Sequence, residues 1–598
     1  MNDSELPLDD PLYQMRHSAA HVLAQAVLDM FPEAKLGVGP VIEHGFYYDF
    51  LLPRTLIPED LAILEQKMKK IQKEAQKFVR QETDPAMTVE FLKKADQPFK
   101  VELAEEFAAE GKQLTFYENV NRKGDVKFVD LCRGGHTETT KSIGYFKLNK
   151  IAGAYWRGDE KRPQLQRIYG LLFAQKDELK AHMLMLEEAK KRDHRKLGEE
   201  LNIFTISDLV GAGLPLLKPN GMAIRHEVET YLWDLHRKRG YLRVWTPHIA
   251  KMALYETSGH AAKFGAELFR VSGAHEGDDF CMKPMNCPHH MQIFSDNHWS
   301  YRDMPVRYFE PATVYRNEKS GQLSGLTRVR AISQDDGHLF CRKDQIADEV
   351  KTIVEIIQIF FGTLGMGEDY WISLSVRDPE DMSKYLGEPE TWDMAEGALE
   401  DILKNENLPY KRVEGEAAFY GPKLDFMFKD AIGREWQLST IQLDFNLPER
   451  FNLSYINENN EKERPVVIHR AISGSLERFM GVMIEHFAGA FPTWLAPTQA
   501  ILLPVSDKFI PYCEEVRDIL ADLGVRVKID DASESLGKKI RNAEKSKIPW
   551  MLVIGEKEVA ERKIAARSYH SKEQSDFELD AFVEMIADEI KNRSLPKV

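Results

Sequence analysis

The stretch LLFAQKDELKAHMLMLEEAKKRDHRKLGEE, residues 171–200, limits how this chain folds more than any other segment. Apolar residues recur along it at helical spacing, and charges cover the remaining faces. Such a helix suits a connector between bodies better than an element of one core. The 598-residue chain is in any case too long for a single core. The expected division is residues 1–170, a linker helix over 171–200, a large segment over 201–493, and a small domain over 494–598.

Each segment has its own pattern. Residues 1–170 mix the helix SAAHVLAQAVLDMF with short strands such as FYYDF and KFVDL, an α+β arrangement. Residues 201–493 contain helices (MAIRHEVETYLWDLHRKRG, QIADEVKTIVEIIQIFFGTLG) and strand-like runs (VRYFEPATVYR, LDFMFKD, WQLSTIQLDF) without regular β–α–β alternation. That predicts an α+β domain on a central antiparallel sheet. Residues 494–598 alternate short apolar strands (AILLPV, VRVKID, WMLVIG) with helices, which predicts an α/β domain. The N-terminus MNDSELPLDDPLYQ has no apolar signal core, and no apolar run is long enough to span a bilayer. A cytoplasmic location and no membrane partner are expected.

Five cysteines, an odd number, make no disulfide framework. In a reducing compartment, Cys beside His points to metal binding or catalysis. The run CMKPMNCPHH, residues 281–290, has both residue types, yet its spacing alone does not separate zinc ligation from a redox pair or from packing. Net charge is −15, so nucleic acid would need a local basic patch. KKIRNAEKSK, residues 538–547, is one, with Lys538, Lys539, Arg541, Lys545 and Lys547 against Glu544.

In VYRNE, strand alternation puts Arg316 and Glu318 on one face. A guanidinium fork suits phosphate or carboxylate, and a carboxylate accepts from an amino group. In GSLERF, residues 474–479, Gly474 permits close backbone approach and Arg478 opens a helix. Near the front, His17 and His21 share a helix face, and Asp130, Cys132 and His136 follow a short strand.

These residues resemble the class II aminoacyl-tRNA synthetases: RNE (316–318) matches their motif 2 and GSLER (474–478) their motif 3. Pro247 in VWTPHI lies where motif 1 places its dimer-interface proline. The fuller resemblance is to the threonyl-tRNA synthetase family. It runs through HSAAH (17–21), DLCRGGH (130–136), GAYWRGD (153–159), KPMNCP (283–288), QDDGH (334–338), FYGPK (419–423), QLDF (442–445) and IHRAISGSLERF (468–479). Many bacterial members carry a small domain before the HxxxH helix. His17 comes too early for it, so a form without that domain is expected.

The resemblance implies ATP-dependent ligation of L-threonine to tRNA(Thr) through a threonyl-adenylate, on an antiparallel class II fold with editing and anticodon-binding domains. It implies that Arg316 meets the α-phosphate, Glu318 the adenine amino group, and Arg328 and Arg478 the adenine and outer phosphates, with Mg²⁺ held by ATP. It implies one Zn²⁺ on Cys287, His338 and His469, although no sequence-local zinc motif has that spacing. Asp336, Gln334, Tyr420 and Gln442 would hold the hydroxyl and amine of threonine. His289 stands where the family pattern has Gly, and is an alternative ligand.

A site that pairs with a substrate hydroxyl rejects the analogue lacking it by about 10⁴–10⁵. That disposes of valine. Serine lacks only a methyl, worth roughly 10–200-fold, so a hydrolytic second site is expected. The resemblance places it at His17, His21, Asp130, Cys132 and His136, and favours a metal-free, water-positioning cluster over a four-ligand zinc set. Where the family has an editing lysine this sequence has Thr115, leaving Lys112 or Lys127 as substitutes. The C-terminal domain resembles the shared anticodon-binding domain, with Glu558 and Arg567 at its contacts but Ala532 and Ser533 where larger polar readers are expected. A homodimer follows by family analogy. Rival readings are a synthetase for proline or serine, which the zinc trio and the HxxxH domain oppose, and a non-enzymatic paralogue, which Arg316 and Arg478 oppose.

Overall fold

The HSAAH segment lies on helix α1, Pro11–Leu28. Asp10 starts it by accepting the N–H groups of Leu12 and Tyr13 at 2.8 and 3.0 Å, and proline occupies its first turn. Every residue from Arg16 to Val27 is buried, so His17 and His21 face protein rather than solvent. In this computed structural model, which describes residues 6–273 and 279–597, the chain divides into two compact units between Glu187 and Glu188.

Among its described residues, the first unit has two antiparallel sheets. One contains β1 (Gly45–Leu51); after helix α2 (Pro98–Ala109) come β2 (Leu114–Val120) and β3 (Val126–Leu131), which belong to the other; β4 (Tyr145–Tyr155) and β5 (Gln164–Phe173) complete the first. Alternate aromatic side chains of β1, Phe46, Tyr48 and Phe50, are buried beneath α1.

The stretch expected as one linker helix has three parts. Strand β5 carries the chain to Phe173, helix α3 spans Lys176–Arg192, and helix α4 spans His194–Glu200. Asp193 breaks the run because its carboxylate caps α4, accepting the Arg195 N–H at 2.8 Å. No residue of α3 is buried, as befits a connector.

The second unit is built on an eight-stranded sheet. Helices α5 (Pro219–Arg237) and α6 (Cys287–Ser295) precede the strands β6 (Val306–Tyr315) and β7 (Ala331–Cys341). Helix α7 (Ile346–Thr363), β8 (Lys423–Lys429), β9 (Glu435–Asp444), β10 (Val466–Ser475) and helix α8 (Leu476–His486) follow. The sheet order is 242–243, β6, β7, β10, β9, β8, 370–376, 410–414. Only the outermost pairs are parallel; the centre is antiparallel, as the clustered strands predicted. Its core side carries Leu339, Ile441 and Ile468 against Ile353 and Phe360 of α7 and Phe479 of α8.

Pairing between β7 and β10 shifts between Gln334 and Asp336. Asp335 fills the irregularity. Its carboxylate accepts the N–H groups of Ile472 and Ser473 at 2.8 and 3.0 Å. Burial raises its pKa to about 6, against the pull of Arg470. The Arg470 guanidinium lies 5.0 and 5.1 Å from the ring centres of Tyr241 and Phe309. Gly337 leaves room for it, since a Cβ there would sit 2.5 Å from the guanidinium.

The C-terminal part has β11 (Ala500–Pro504), helix α9 (Leu536–Lys545), β12 (Trp550–Ile554) and β13 (Lys563–Ser568). β11 and β12 run parallel as the α/β pattern predicted, while β13 pairs antiparallel with β12.

Asp335→Ala leaves Arg470 buried without its carboxylate and strips the bulge amides of their acceptor. A loss of about 3–5 kcal/mol is expected, read as a lower urea midpoint for the second unit with the first unit unchanged.

Candidate active site

Sheet register assembles the rear site. His338 on β7 lies directly opposite His469 on β10, and Gln442 on β9 is opposite His469 from the other side. The two imidazoles meet edge to face with centroids 4.6 Å apart. Cys287 opens α6, and ligand atoms of Cys287, His338 and His469 all lie within 4.8 Å of one another. All three residues are buried. Burial, reinforced by Asp336 and Asp444, pushes the Cys287 thiol well above its ordinary pKa. His469 Nδ1 is buried without a hydrogen-bond partner. Thiol, imidazole and imidazole, with an orphaned nitrogen among them, are the donor set that suits zinc with a position left open. His289 lies inside α6, so its backbone needs no left-handed conformation, and it is not part of the trio.

A cavity of about 460 Å³ opens over these residues. Gln334, Asp336, Gln442, His338 and His469 line it, together with Arg316, Glu318, Arg328 and Arg478. Asn286 donates to Asp336 at 2.9 Å, Tyr420 donates to Gln442, and Tyr420 stacks on His469 with centroids 4.9 Å apart. The guanidinium of Arg316 lies 5.0 Å from the Phe264 ring centre. Arg478 follows the Ser475 cap of α8 and lies 5.8 Å from the Trp436 ring centre. Burial lowers the pKa of both arginines, and each has a buried Nε without a partner. Glu318 instead accepts from Arg328 at 2.8 and 3.0 Å. Half-buried cations with unused donors suit an anionic ligand.

Sequence reasoning missed His260, whose Nε2 lies 3.5 Å from Cys287 Sγ. Its helix carries no motif that singles it out.

The front cluster forms in the first unit. His17, His21, Cys132 and His136 place ligand-type atoms within 4.8 Å of one another. His17 Nδ1 donates to the Gly134 carbonyl at 2.8 Å, so its Nε2 holds the lone pair. Burial lowers the His17 pKa to about 4 and lifts the Cys132 thiol to about 12. His136 Nε2 lies 3.3 Å from Cys132 Sγ. Asp130 is buried and accepts from Tyr48 at 2.5 Å.

Thr115 lies on β2 and donates to the Cys132 carbonyl at 2.6 Å, which ties down the strand end. Lys112 and Lys127 are exposed and pair with Glu110 and Asp125. The buried ammonium comes from a helix instead: Lys100 on α2 lies 2.6 Å from Asp130. A lysine in the apolar first turn of PFKVEL was the available signal.

In the C-terminal domain, Glu558 accepts the Gly555 N–H at 2.8 Å and so starts its own short helix. Arg567 on β13 reaches Glu544 at 3.2 Å. The basic run is less available than its composition suggested. Lys539 is buried and donates to the carbonyls of Pro504 and Asp530, and Lys547 donates to that of Ala488.

Three family models match. The tRNA synthetase class II core domain (G, H, P, S and T) covers residues 269–487, the anticodon binding domain 499–589, and the threonyl and alanyl tRNA synthetase second additional domain 119–169. A threonine–tRNA ligase from Gloeobacter violaceus is 48% identical over 95% of this chain and 91% of its own length. One from Cytophaga hutchinsonii is 47% identical over 96% and 88%. The solved RNA-binding domain of threonyl-tRNA synthetase from Cryptosporidium parvum aligns with a TM-score of 0.64 at 36% identity, covering 68% of this chain and 99% of that one.

The buried His17 predicts an acid-labile first unit. Unfolded, it takes a proton near pH 6.5; folded, only near 4. Between those values the unfolded state binds more protons, so stability falls as pH drops, by about 3 kcal/mol from this group. Urea titrations across that window should show the slope, and His17→Asn should flatten it.

Proposed function

The chain belongs to the threonyl-tRNA synthetase family, and from that premise we propose how this threonine–tRNA ligase selects, activates and proofreads its amino acid. The observation that carries the reading is the convergence of Cys287, His338 and His469 beside a cavity lined by Arg316 and Arg478, each with an unused donor.

Cys287, His338 and His469 would hold one Zn²⁺ per subunit, and the ion would supply Lewis acidity toward the amino and hydroxyl groups of threonine, a pair valine does not have. Asp336, held by Asn286, and Gln442, held by Tyr420, orient the same two groups. Gln334, which lines the same cavity, supports them. The threonine carboxylate attacks the α-phosphorus of ATP, which arrives with Mg²⁺, and pyrophosphate leaves. Arg316 stabilises the charge that builds on the α-phosphoryl oxygens, and Arg478 and Arg328 hold the adenine and outer phosphates. Glu318 turns from Arg328 to the adenine amino group when ATP enters.

The front cluster removes serine mischarged onto tRNA(Thr). His17 Nε2 takes a proton from a water aimed at the ester carbonyl, while His21, Cys132, His136 and the Lys100–Asp130 pair shape the pocket. No metal is required for this. Glu558 and Arg567 face the anticodon, and Lys538, Arg541 and Lys545 face the tRNA backbone. The exposed apolar side chains of Leu242, Trp245 and Ile249 around Pro247 form a homodimer contact. No helix among the described residues is long and apolar enough to cross a membrane, and five free thiols suit the cytoplasm.

Metal analysis tests the reading. The protein should carry one zinc and Cys287→Ala none; a second zinc that survives Cys287→Ala would assign metal to the front cluster. With threonine, ATP–pyrophosphate exchange should exceed that with valine by about 10⁴-fold. Arg316→Ala should slow exchange by orders of magnitude with an unchanged melting curve; near-normal exchange would remove Arg316 from the reaction. Seryl-tRNA should be deacylated by the wild type and spared by His17→Ala or Cys132→Ala.

A further inference from the structure

The imidazoles of the trio owe their orientation to residues outside it. Glu310 on β6 is buried. Its Oε1 accepts the Thr246 backbone N–H at 2.6 Å, the Thr246 hydroxyl reaches both oxygens, and Lys283 Nζ lies 3.8 Å away. Burial works against its charge, but His290, Lys283 and the Thr246 N–H outweigh it and hold the carboxyl below its usual pKa. Glu310 is therefore a carboxylate with no hydrogen to donate.

The rest follows from hydrogen counting. His290 Nε2 lies 2.9 Å from Glu310 Oε2 and must carry the hydrogen of that contact. An imidazole with one N–H keeps one lone pair. Its lone pair is on Nδ1, which lies 2.8 Å from His338 Nδ1. His338 must donate there, leaving Nε2 as its free lone pair. His469 is set the opposite way. Its Nε2 lies 2.8 Å from Asp444 Oδ2, while the other Asp444 oxygen accepts the N–H groups of Asn446 and Leu447 at 2.8 and 2.9 Å. That leaves His469 Nδ1, the orphaned nitrogen, to face the trio.

We propose that Glu310 and His290 are positioning residues for the metal, a two-member relay that holds His338 in the tautomer offering Nε2. Neither residue lines the cavity nor belongs to the ligand trio. The inference rests on the reading of the trio as zinc ligands. It assigns to Thr246 and Lys283 the task of keeping the relay polarised in one direction.

Glu310→Gln tests it by reversing that direction. The Thr246 N–H requires the amide carbonyl at the Oε1 position, which turns the amide nitrogen toward His290 Nε2. His290 then carries its hydrogen on Nδ1, His338 must accept there, and its own hydrogen moves to the coordinating Nε2. Zinc affinity, measured in the full-length protein against a chromogenic chelator, should fall about 10–100-fold. The visible absorption of the cobalt-substituted protein should weaken. His290→Leu should do the same. His290→Asn, whose carbonyl can stand in for Nδ1 as acceptor, should keep zinc.

Urea unfolding of the metal-free proteins separates lost ligation from lost folding. Folded Glu310→Gln or His290→Leu protein with wild-type zinc affinity and an unchanged cobalt spectrum would overturn the proposal. If both fail to fold, His290→Asn decides: retained zinc supports the acceptor role, and a loss of tenfold or more overturns it. Wild-type protein that binds no zinc would instead refute the ligand reading on which the inference rests.

Discussion

The antiparallel register of β7, β10 and β9 is the constraint on which the rear site depends. It sets His338 against His469 and His469 against Gln442. A slip of one residue would turn every one of these side chains into the opposite face. The register is held from beneath. Leu339, Ile441 and Ile468 bury the other face, and Asp335 satisfies the amides that the irregular pairing leaves open. Binding chemistry and core packing are thus the two faces of the same strands.

The two sites handle charge in opposite ways. At the front, Lys100 is spent on Asp130, and the surrounding imidazoles are kept neutral by burial. A neutral cluster suits proton transfer to and from water near neutral pH. At the rear, Arg316 and Arg478 retain unused donors and lie beside the rings of Phe264 and Trp436. Such cations lose hydration on folding and recover it from a polyanionic ligand.

Buried polar groups also show which motif residues are structural. In the run KPMNCPHH, Lys283 and His290 belong to the network behind His338, and Asn286 holds Asp336. Of that run, Cys287 is the member of the trio. In the basic helix, Lys539 tethers strand and loop carbonyls and leaves the surface charge to its neighbours. Residue type alone does not separate these roles, because a buried lysine and an exposed one have the same letter.

The sequence by itself determined the domain classes, since strand alternation and helical spacing are local properties of consecutive residues. Ordered motifs identified the family and singled out the residues that gather as the Cys287–His338–His469 trio and the HxxxH cluster. Tertiary structure decided the rest. Asp193 divides the expected linker helix through a single cap. The buried lysine beside the front cluster is Lys100, away from the strand position Thr115, because helix α2 delivers it across space. The relay from Glu310 to His338 joins β6, α6 and β7, and no periodicity within one element encodes it. Spacing along a chain reports which face a side chain occupies; which partner waits there depends on how distant segments pack.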